Sequence, residues 1–217
     1  MQNVAWILFC GVLGIGCGCG ALAWVCRMFR TRGREERLSR TEQILLLVGA
    51  AVCGGVIGSF TNGWLPMVAA LAVLTVGMAV AVSDWVCRII PNPTVLAVFA
   101  LKLLLMVGAM LKLAGAPSFS VLSALGGMVF CFLLFSAPGL LKRKVGAGDI
   151  KFAAAIGFLL GFEGALLAVA AMGMLILAYS MLQRKVPLIA FLKTDIPMGP
   201  FIAAGMMISW MAPYAVL

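Results

Sequence analysis

The 217-residue sequence contains no histidine. Catalysis by an imidazole acid, base or nucleophile is therefore excluded, and so is the commonest metal ligand of proteins. The cysteines number seven, and no two of them are spaced C-x-x-C. This odd number without paired spacing indicates neither a zinc knuckle nor a disulfide framework. We therefore expect no metal and no cofactor.

Charged residues are also scarce. They make up 11% of the chain, whereas apolar residues make up 64%. A soluble domain carries about a quarter charged residues, so this composition excludes a soluble domain. Apolar runs of about 20 residues, long enough to cross a bilayer, recur from end to end. The predicted fold is an all-α, polytopic integral membrane helix bundle.

We expect about seven or eight membrane segments, one of them short or re-entrant. The chain divides into an N-terminal membrane hairpin, residues 1–63, with a short basic loop at 27–40, and a membrane domain, residues 64–217. The sequence Ser39-Arg-Thr-Glu42 predicts a capping box at the start of the second helix. Turn residues separate the predicted segments, which cover roughly 3–26, 43–60, 64–83, 94–114, 119–140, 150–161, 164–182 and 197–215.

The cations cluster between the predicted spans. Fourteen of the 16 lysines and arginines lie at 27–40, 84–93, 141–151 and 183–196. All four loops fall on one side if the N-terminus is outside and the spans alternate, and the positive-inside rule makes that side the cytoplasm. The net charge of +9 therefore indicates a face turned toward the anionic lipid of a cell inner membrane rather than a nucleic-acid-binding surface.

Residues 150–182 form an unusually short return path. Both flanks of this stretch are basic, so the chain must come back to the side that it left. Its 33 residues are too few for two full spans of about 20 residues and a turn. We expect a turn at 161–164, Gly-Phe-Glu-Gly, and a short leg directly after Asp149. A short leg implies local thinning or a cavity through which water reaches this acid.

Two aspartates, Asp84 and Asp149, lie where predicted spans meet basic loops. They are 65 positions apart. Because two spans lie between them, the chain is back at the same membrane depth when it reaches Asp149. Such a pair suits peptide hydrolysis: one carboxylate activates water while the other, still protonated, polarises the scissile carbonyl, because like charges resist joint ionisation. Composition and topology are equally compatible with two interfacial helix caps. The third aspartate, Asp195, is expected to be solvated or to cap a helix.

Three sequence motifs distinguish these interpretations. The segment "GAGDIK", 146–151, resembles the GxGD signature of membrane aspartyl proteases. The segment "SDWVCRIIPN" resembles the first-aspartate segment of the prepilin peptidases, in which the proline of Ile-Pro-Asn stands seven positions after the acid. The segment "IPMGPFIAAG", 196–205, is similar to the closing segment of that family. Their order and their places at span boundaries make the resemblance specific, and it covers about 64–215.

The resemblance implies a type IV prepilin leader peptidase, an aspartic endopeptidase of the type IV pilus and protein secretion machinery. Asp84 and Asp149 would be its catalytic pair. Its partners would be pilin-like precursors, which carry a short basic leader before an apolar helix. The expected oligomeric state is left open. The motif residues that accompany the pair are Gly146, Gly148, Pro91 and Asn92.

Gly146 and Gly148 are expected to let the backbone bend tightly and to bring the substrate backbone close to the acid. Larger members of this family have paired C-x-x-C cysteines in a loop after the first span, and they also methylate the new amino terminus. Here the 27–40 loop is short and has no such pair, so methyl transfer is not expected.

Two other functions stay open at this point. A small proton-coupled transporter could use Lys102, Glu163 and the aspartates as a relay, although a long apolar gap separates Glu163 from the aspartates. A non-catalytic membrane component of a secretion system is the other alternative. It predicts that the aspartates are dispensable.

Overall fold

The computed structural model describes residues 4–31, 38–61, 63–111, 120–140, 146–182 and 197–215. These residues form an all-α structure with no strand among them. Six of the described helices are long and apolar enough to cross a membrane, and the last one is shorter. The helices are α1 (Val4–Thr31), α2 (Arg40–Phe60), α3 (Trp64–Cys87), α4 (Asn92–Met110), α5 (Val121–Leu140), α6 (Ala147–Leu182) and α7 (Gly199–Ala215).

The helix boundaries lie close to the predicted spans, although α1 continues to Thr31, past the predicted end at 26. Two other boundaries are explained by local hydrogen bonds. The capping box is confirmed: Ser39 Oγ accepts a hydrogen bond from the Glu42 N–H, and the Ser39 N–H donates to Glu42 Oε2 at 2.8 Å. With this capping box, α2 begins at Arg40, three residues before the predicted start of the second span at residue 43. In addition, α3 does not end at Asp84 but continues to Cys87, because the Asp84 carbonyl accepts the N–H of the left-handed residue Arg88.

α3 is the central helix of the bundle. It contacts α1, α2, α4 and α7, and it is the most buried of the candidate spans. α7 packs closely between α3 and α6 because each of the two contacts includes a glycine. Gly77 on α3 faces Ala203 and Met206, and Gly205 on α7 faces Ala168 and Met172 of α6. The predicted boundary at residue 63 falls in the turn between α2 and α3, and the division into two domains stays a prediction.

α6 reverses its direction at Gly161. This residue has φ 78° and ψ 179°, which are not helical angles, and it separates a first leg, 147–160, from a second leg, 162–182. A straight helix of 36 residues would place its ends about 54 Å apart. Instead both ends lie at the start of α7. Asp149 lies near Asp84, whose carboxylate accepts from Gly199, and the Tyr179 ring packs on Phe201.

The predicted short return is therefore confirmed. The first leg of α6 has 14 residues, which corresponds to a length of about 21 Å, shorter than the hydrocarbon core of about 30 Å. The turn also lies where it was expected, at the start of the Gly-Phe-Glu-Gly sequence. Glu163 is exposed beside this turn, far along the bundle from the aspartates.

Side chains from three helices bind the backbone at the break in α6. The Lys102 ammonium of α4 donates to the Leu159 carbonyl at 2.9 Å, and Ser123 Oγ of α5 accepts from the Phe162 N–H at 3.1 Å. Ser209 Oγ of α7 donates to the Gly164 carbonyl at 2.7 Å. Polar backbone groups inside a membrane must find partners within the protein. The buried Lys102, which is 1% exposed, thus has a structural role.

Several helix ends meet at one end of the bundle, which we call the Asp84 end. Trp85 Nε1 donates to Glu42 Oε1 at 3.2 Å, so the start of α2 lies beside the end of α3. The start of α4 and both ends of α6 lie there too, as does the start of α7. At the opposite end, Trp6 and Trp64 make an edge contact, with ring centroids 6.0 Å apart. The described helix ends that flank the four basic loops lie at the Asp84 end.

Most of those loop cations lie outside the described residues, and so does Lys112. The same holds for residues 32–37 of the 27–40 loop and for the third aspartate. The residues concerned are Arg32, Arg34, Arg37, Lys142, Arg143, Lys144, Arg184, Lys185, Lys193 and Asp195.

Candidate active site

Asp84 is a buried acid in the last turn of α3. Its side chain is 5% exposed, and its Oδ2 accepts a hydrogen bond from the backbone N–H of Gly199 at 2.6 Å. Arg88 follows one turn later in the left-handed conformation, with φ 51°, and caps the helix. The guanidinium of Arg88 is close enough to interact with the Asp84 charge. The helix end and the start of α7 together define the position of this carboxylate.

Asp149 lies in the first turn of α6 and is partly exposed. Its charge interacts with that of Asp84, so the fold brings together two acids from distant parts of the sequence. α7 and α4 each contact both α3 and α6, and they therefore enclose the pair from two directions. The structure places the two predicted acids at one depth, at the Asp84 end of the bundle.

The glycines of the GxGD segment provide space for their neighbours. A Cβ on Gly146 would lie 2.5 Å from Asp149 Oδ2, and a Cβ on Gly148 would lie 3.1 Å from Ile90 Cβ. Neither glycine has a left-handed φ, and both positions require room for a neighbouring residue. The expected tight bend and the close approach of the substrate backbone stay predictions. Gly146 leaves space for the Asp149 carboxyl, and Gly148 lets α6 approach the segment that precedes Pro91.

A family model for the type IV leader peptidase family matches residues 71–181. The matched region is half of the chain, runs from α3 through nearly all of α6, and contains both aspartates. The chain belongs to the type IV leader peptidase family. The resemblance seen in the sequence is thereby confirmed, and the family implies a protease. Comparisons with curated proteins and with solved structures gave no match.

The Ile-Pro-Asn segment of this leader peptidase family member shapes the start of α4. Pro91 is buried and is the N-cap of α4, and its carbonyl accepts from both the N–H and the hydroxyl of Thr94. A proline is favourable here because the first turn of a helix needs no intrahelical N–H donor at this point. Asn92 is exposed. It lines an open apolar groove on α4 together with Pro93, Val95, Leu96 and Phe99.

Gly199 is the site residue that sequence reasoning did not assign. The closing motif "IPMGPF" was recognised as part of the resemblance, but nothing local in it indicates a contact with an acid 115 positions earlier. Gly199 also lies beyond the matched residues 71–181. The available signal was a glycine between two prolines at the start of a predicted span, which marks a helix start but does not identify its neighbour.

Proposed function

We propose that the protein is a membrane aspartyl endopeptidase that removes the short basic leader of type IV pilin-like precursors. Asp84 and Asp149 are its catalytic pair. The observation that carries the proposal is their meeting at one end of a membrane helix bundle, from two motifs that are far apart in the sequence. Membership of the leader peptidase family supports a protease of this specificity.

The chemistry needs two carboxyl groups in different protonation states. The ionised acid takes a proton from water as the water oxygen attacks the scissile carbonyl carbon, and the protonated acid donates its proton to the carbonyl oxygen. The tetrahedral intermediate then collapses: the C–N bond breaks, the acid that took the water proton gives it to the leaving amine, and the other acid regains its proton as the carbonyl re-forms. Close carboxyl groups suit this reaction because mutual repulsion keeps one of them protonated.

The position of the acids supports a substrate that is itself a membrane helix. A precursor whose apolar helix lies beside the bundle would present its leader junction at the membrane boundary. The acids occupy that depth at the Asp84 end, and Asp149 is partly exposed there. The short first leg of α6 leaves room for water to approach.

The orientation proposed for the chain follows from its charges. The described helix ends that flank all four basic loops lie at the Asp84 end. By the positive-inside rule this end faces the cytoplasm in the inner membrane, against anionic lipid, and the N-terminus lies outside. Leader cleavage would then occur on the cytoplasmic side.

Co-expression with candidate pilin-like precursors, followed by mass spectrometry of the mature N-terminus, tests the function. We expect Asp84→Asn and Asp149→Asn each to abolish cleavage while the protein stays folded in the membrane, because the two acids have separate protonation roles. Glu163→Gln is a matched control, an exposed acid at the opposite end of the bundle, and should keep wild-type cleavage. Substantial cleavage by either aspartate variant would refute the pair and favour a non-catalytic component.

A further inference from the structure

The two acids of the proposed pair have different surroundings. Asp84 accepts a backbone N–H from Gly199 at 2.6 Å and lies near the Arg88 guanidinium. Asp149 instead faces the negative charge of Asp84. Within the described residues, no backbone N–H donates to Asp149. Hydrogen-bond donors and positive charge favour an ionised carboxyl, whereas a neighbouring negative charge favours a protonated one.

We propose that Gly199 is a positioning residue that holds Asp84 as the ionised base of the pair and leaves Asp149 to carry the proton. The assignment of chemical roles rests on the proposed function, whereas the contact itself does not. In the reaction Asp84 accepts the proton of the attacking water, and Asp149 donates its proton to the carbonyl oxygen. The start of α7 thereby becomes a third part of the active site, beside the two aspartate motifs.

The packing at Gly199 explains why this position has no side chain. A Cβ there would lie 2.6 Å from Asp84 Cβ and 2.9 Å from Asp84 Oδ2, which is closer than atoms can pack without displacement. Pro200, the next residue, has no N–H, so Gly199 provides the backbone donor at this point of the first helical turn. The positive end of the helix dipole adds to the attraction for a carboxylate.

The other charged groups around Asp84 are few among the described residues. Arg88 is the described cation whose charge acts on Asp84, and the charge of Asp84 acts in turn on Asp149. Glu42, on the neighbouring α2, accepts from Trp85 and Ser39, and Lys102 on α4 binds the backbone of α6 at the distant break. Besides its own burial, the titration of Asp84 should therefore respond to the Gly199 N–H and to the Arg88 guanidinium.

A pH profile of cleavage distinguishes a positioning role from a merely structural one. Gly199→Ala displaces the Asp84 carboxyl from its donor, so the acid limb of the kcat/KM profile should move up by about one pH unit. The matched control is Gly205→Ala, in the same helix, where a new Cβ would also collide, but with the Ala168 carbonyl oxygen of α6. It should lower the yield of folded protein and leave the profile in place. An unchanged profile in Gly199→Ala, or equal shifts in both variants, would overturn the proposal.

Infrared titration of the carboxyl band tests the same assignment without any cleavage. In an Asp149→Asn background Asp84 titrates alone, and its signal is isolated by subtracting the spectrum of the Asp84→Asn Asp149→Asn double variant. Adding Gly199→Ala to the Asp149→Asn background should raise the titration midpoint by about one pH unit. An unchanged midpoint contradicts the proposal even if cleavage is demonstrated. A shift without any detectable cleavage would support the contact and count against the proposed function.

Hydrogen exchange provides a readout that needs no variant at Gly199, in case that variant does not fold. Residues 197–200 include two prolines, so exchange in this segment reports only the amides of Met198 and Gly199. Asp84→Ala should accelerate exchange in this segment, because it removes the acceptor, and Asp149→Ala should not. Equal exchange in Asp84→Ala and the wild-type protein would show that Asp84 does not hold this amide.

Discussion

Replacing Gly161 by alanine should destabilise the protein much more than the same replacement at Gly173, further along α6. The backbone angles at Gly161, φ 78° and ψ 179°, lie in a region that residues with a side chain rarely adopt. A new Cβ would also lie 2.7 Å from Ser123 Oγ, the atom that accepts the Phe162 N–H. The substitution therefore strains the turn and disturbs the hydrogen bond that starts the second leg.

The expected cost is the sum of these two effects. A residue with a side chain held in such a conformation costs about 1–3 kcal/mol, and the lost hydrogen bond to Ser123 costs about 1 kcal/mol more. We expect the free energy of unfolding to fall by roughly 2–4 kcal/mol. The matched control is Gly173→Ala in the same helix, where a Cβ meets nothing within 4 Å. That change should be neutral or should stabilise the helix by up to about 1 kcal/mol.

Unfolding in mixed micelles with increasing SDS, followed by tryptophan fluorescence, measures both variants against the wild-type protein. Ser123→Ala separates the two effects, because it removes the hydrogen bond and leaves the backbone unstrained. It should cost about 1 kcal/mol. Wild-type stability in Gly161→Ala, or an equal loss in Gly173→Ala, would refute the structural role assigned to the break in α6.

Two further predictions concern the reaction and its access to water. The protein should cleave without methylating the new amino terminus, because its 27–40 loop lacks paired cysteines; an N-methylated product formed with S-adenosylmethionine would show otherwise. With the native cysteines removed, Ala147→Cys should react with a small polar thiol reagent added from the cytoplasmic side, because Ala147 is exposed and lies two residues before Asp149. The control is Leu74→Cys, at a position 2% exposed, which should not react. Labelling of Ala147→Cys only from the outside would reverse the proposed orientation. Ala147 is a better probe than Gly148, where a side chain would press on Ile90.

The sequence alone was sufficient for the class of the protein, and it placed Asp84 and Asp149 at one depth; their catalytic role stays a prediction. Membrane spans are predicted from the length of apolar runs, and the side of each loop is predicted from its cations. Both predictions need only the order of residues along the chain. The return of α6 followed from the same arithmetic, since its 33 residues could not form two full spans. The capping box at Ser39 was predictable because its two partners are three positions apart.

Contacts between residues far apart in the sequence were decided only by the tertiary structure. The donation from Gly199 to Asp84 joins positions 115 apart, and the bond from Lys102 to the Leu159 carbonyl joins positions 57 apart. The close approach of Gly148 to Ile90 is of the same kind. No local pattern encodes such contacts, because they depend on which helices become neighbours and at what depth their small residues meet. Helix packing in a membrane is determined by close fit between surfaces that are all apolar, and that fit exists only once the helices have assembled.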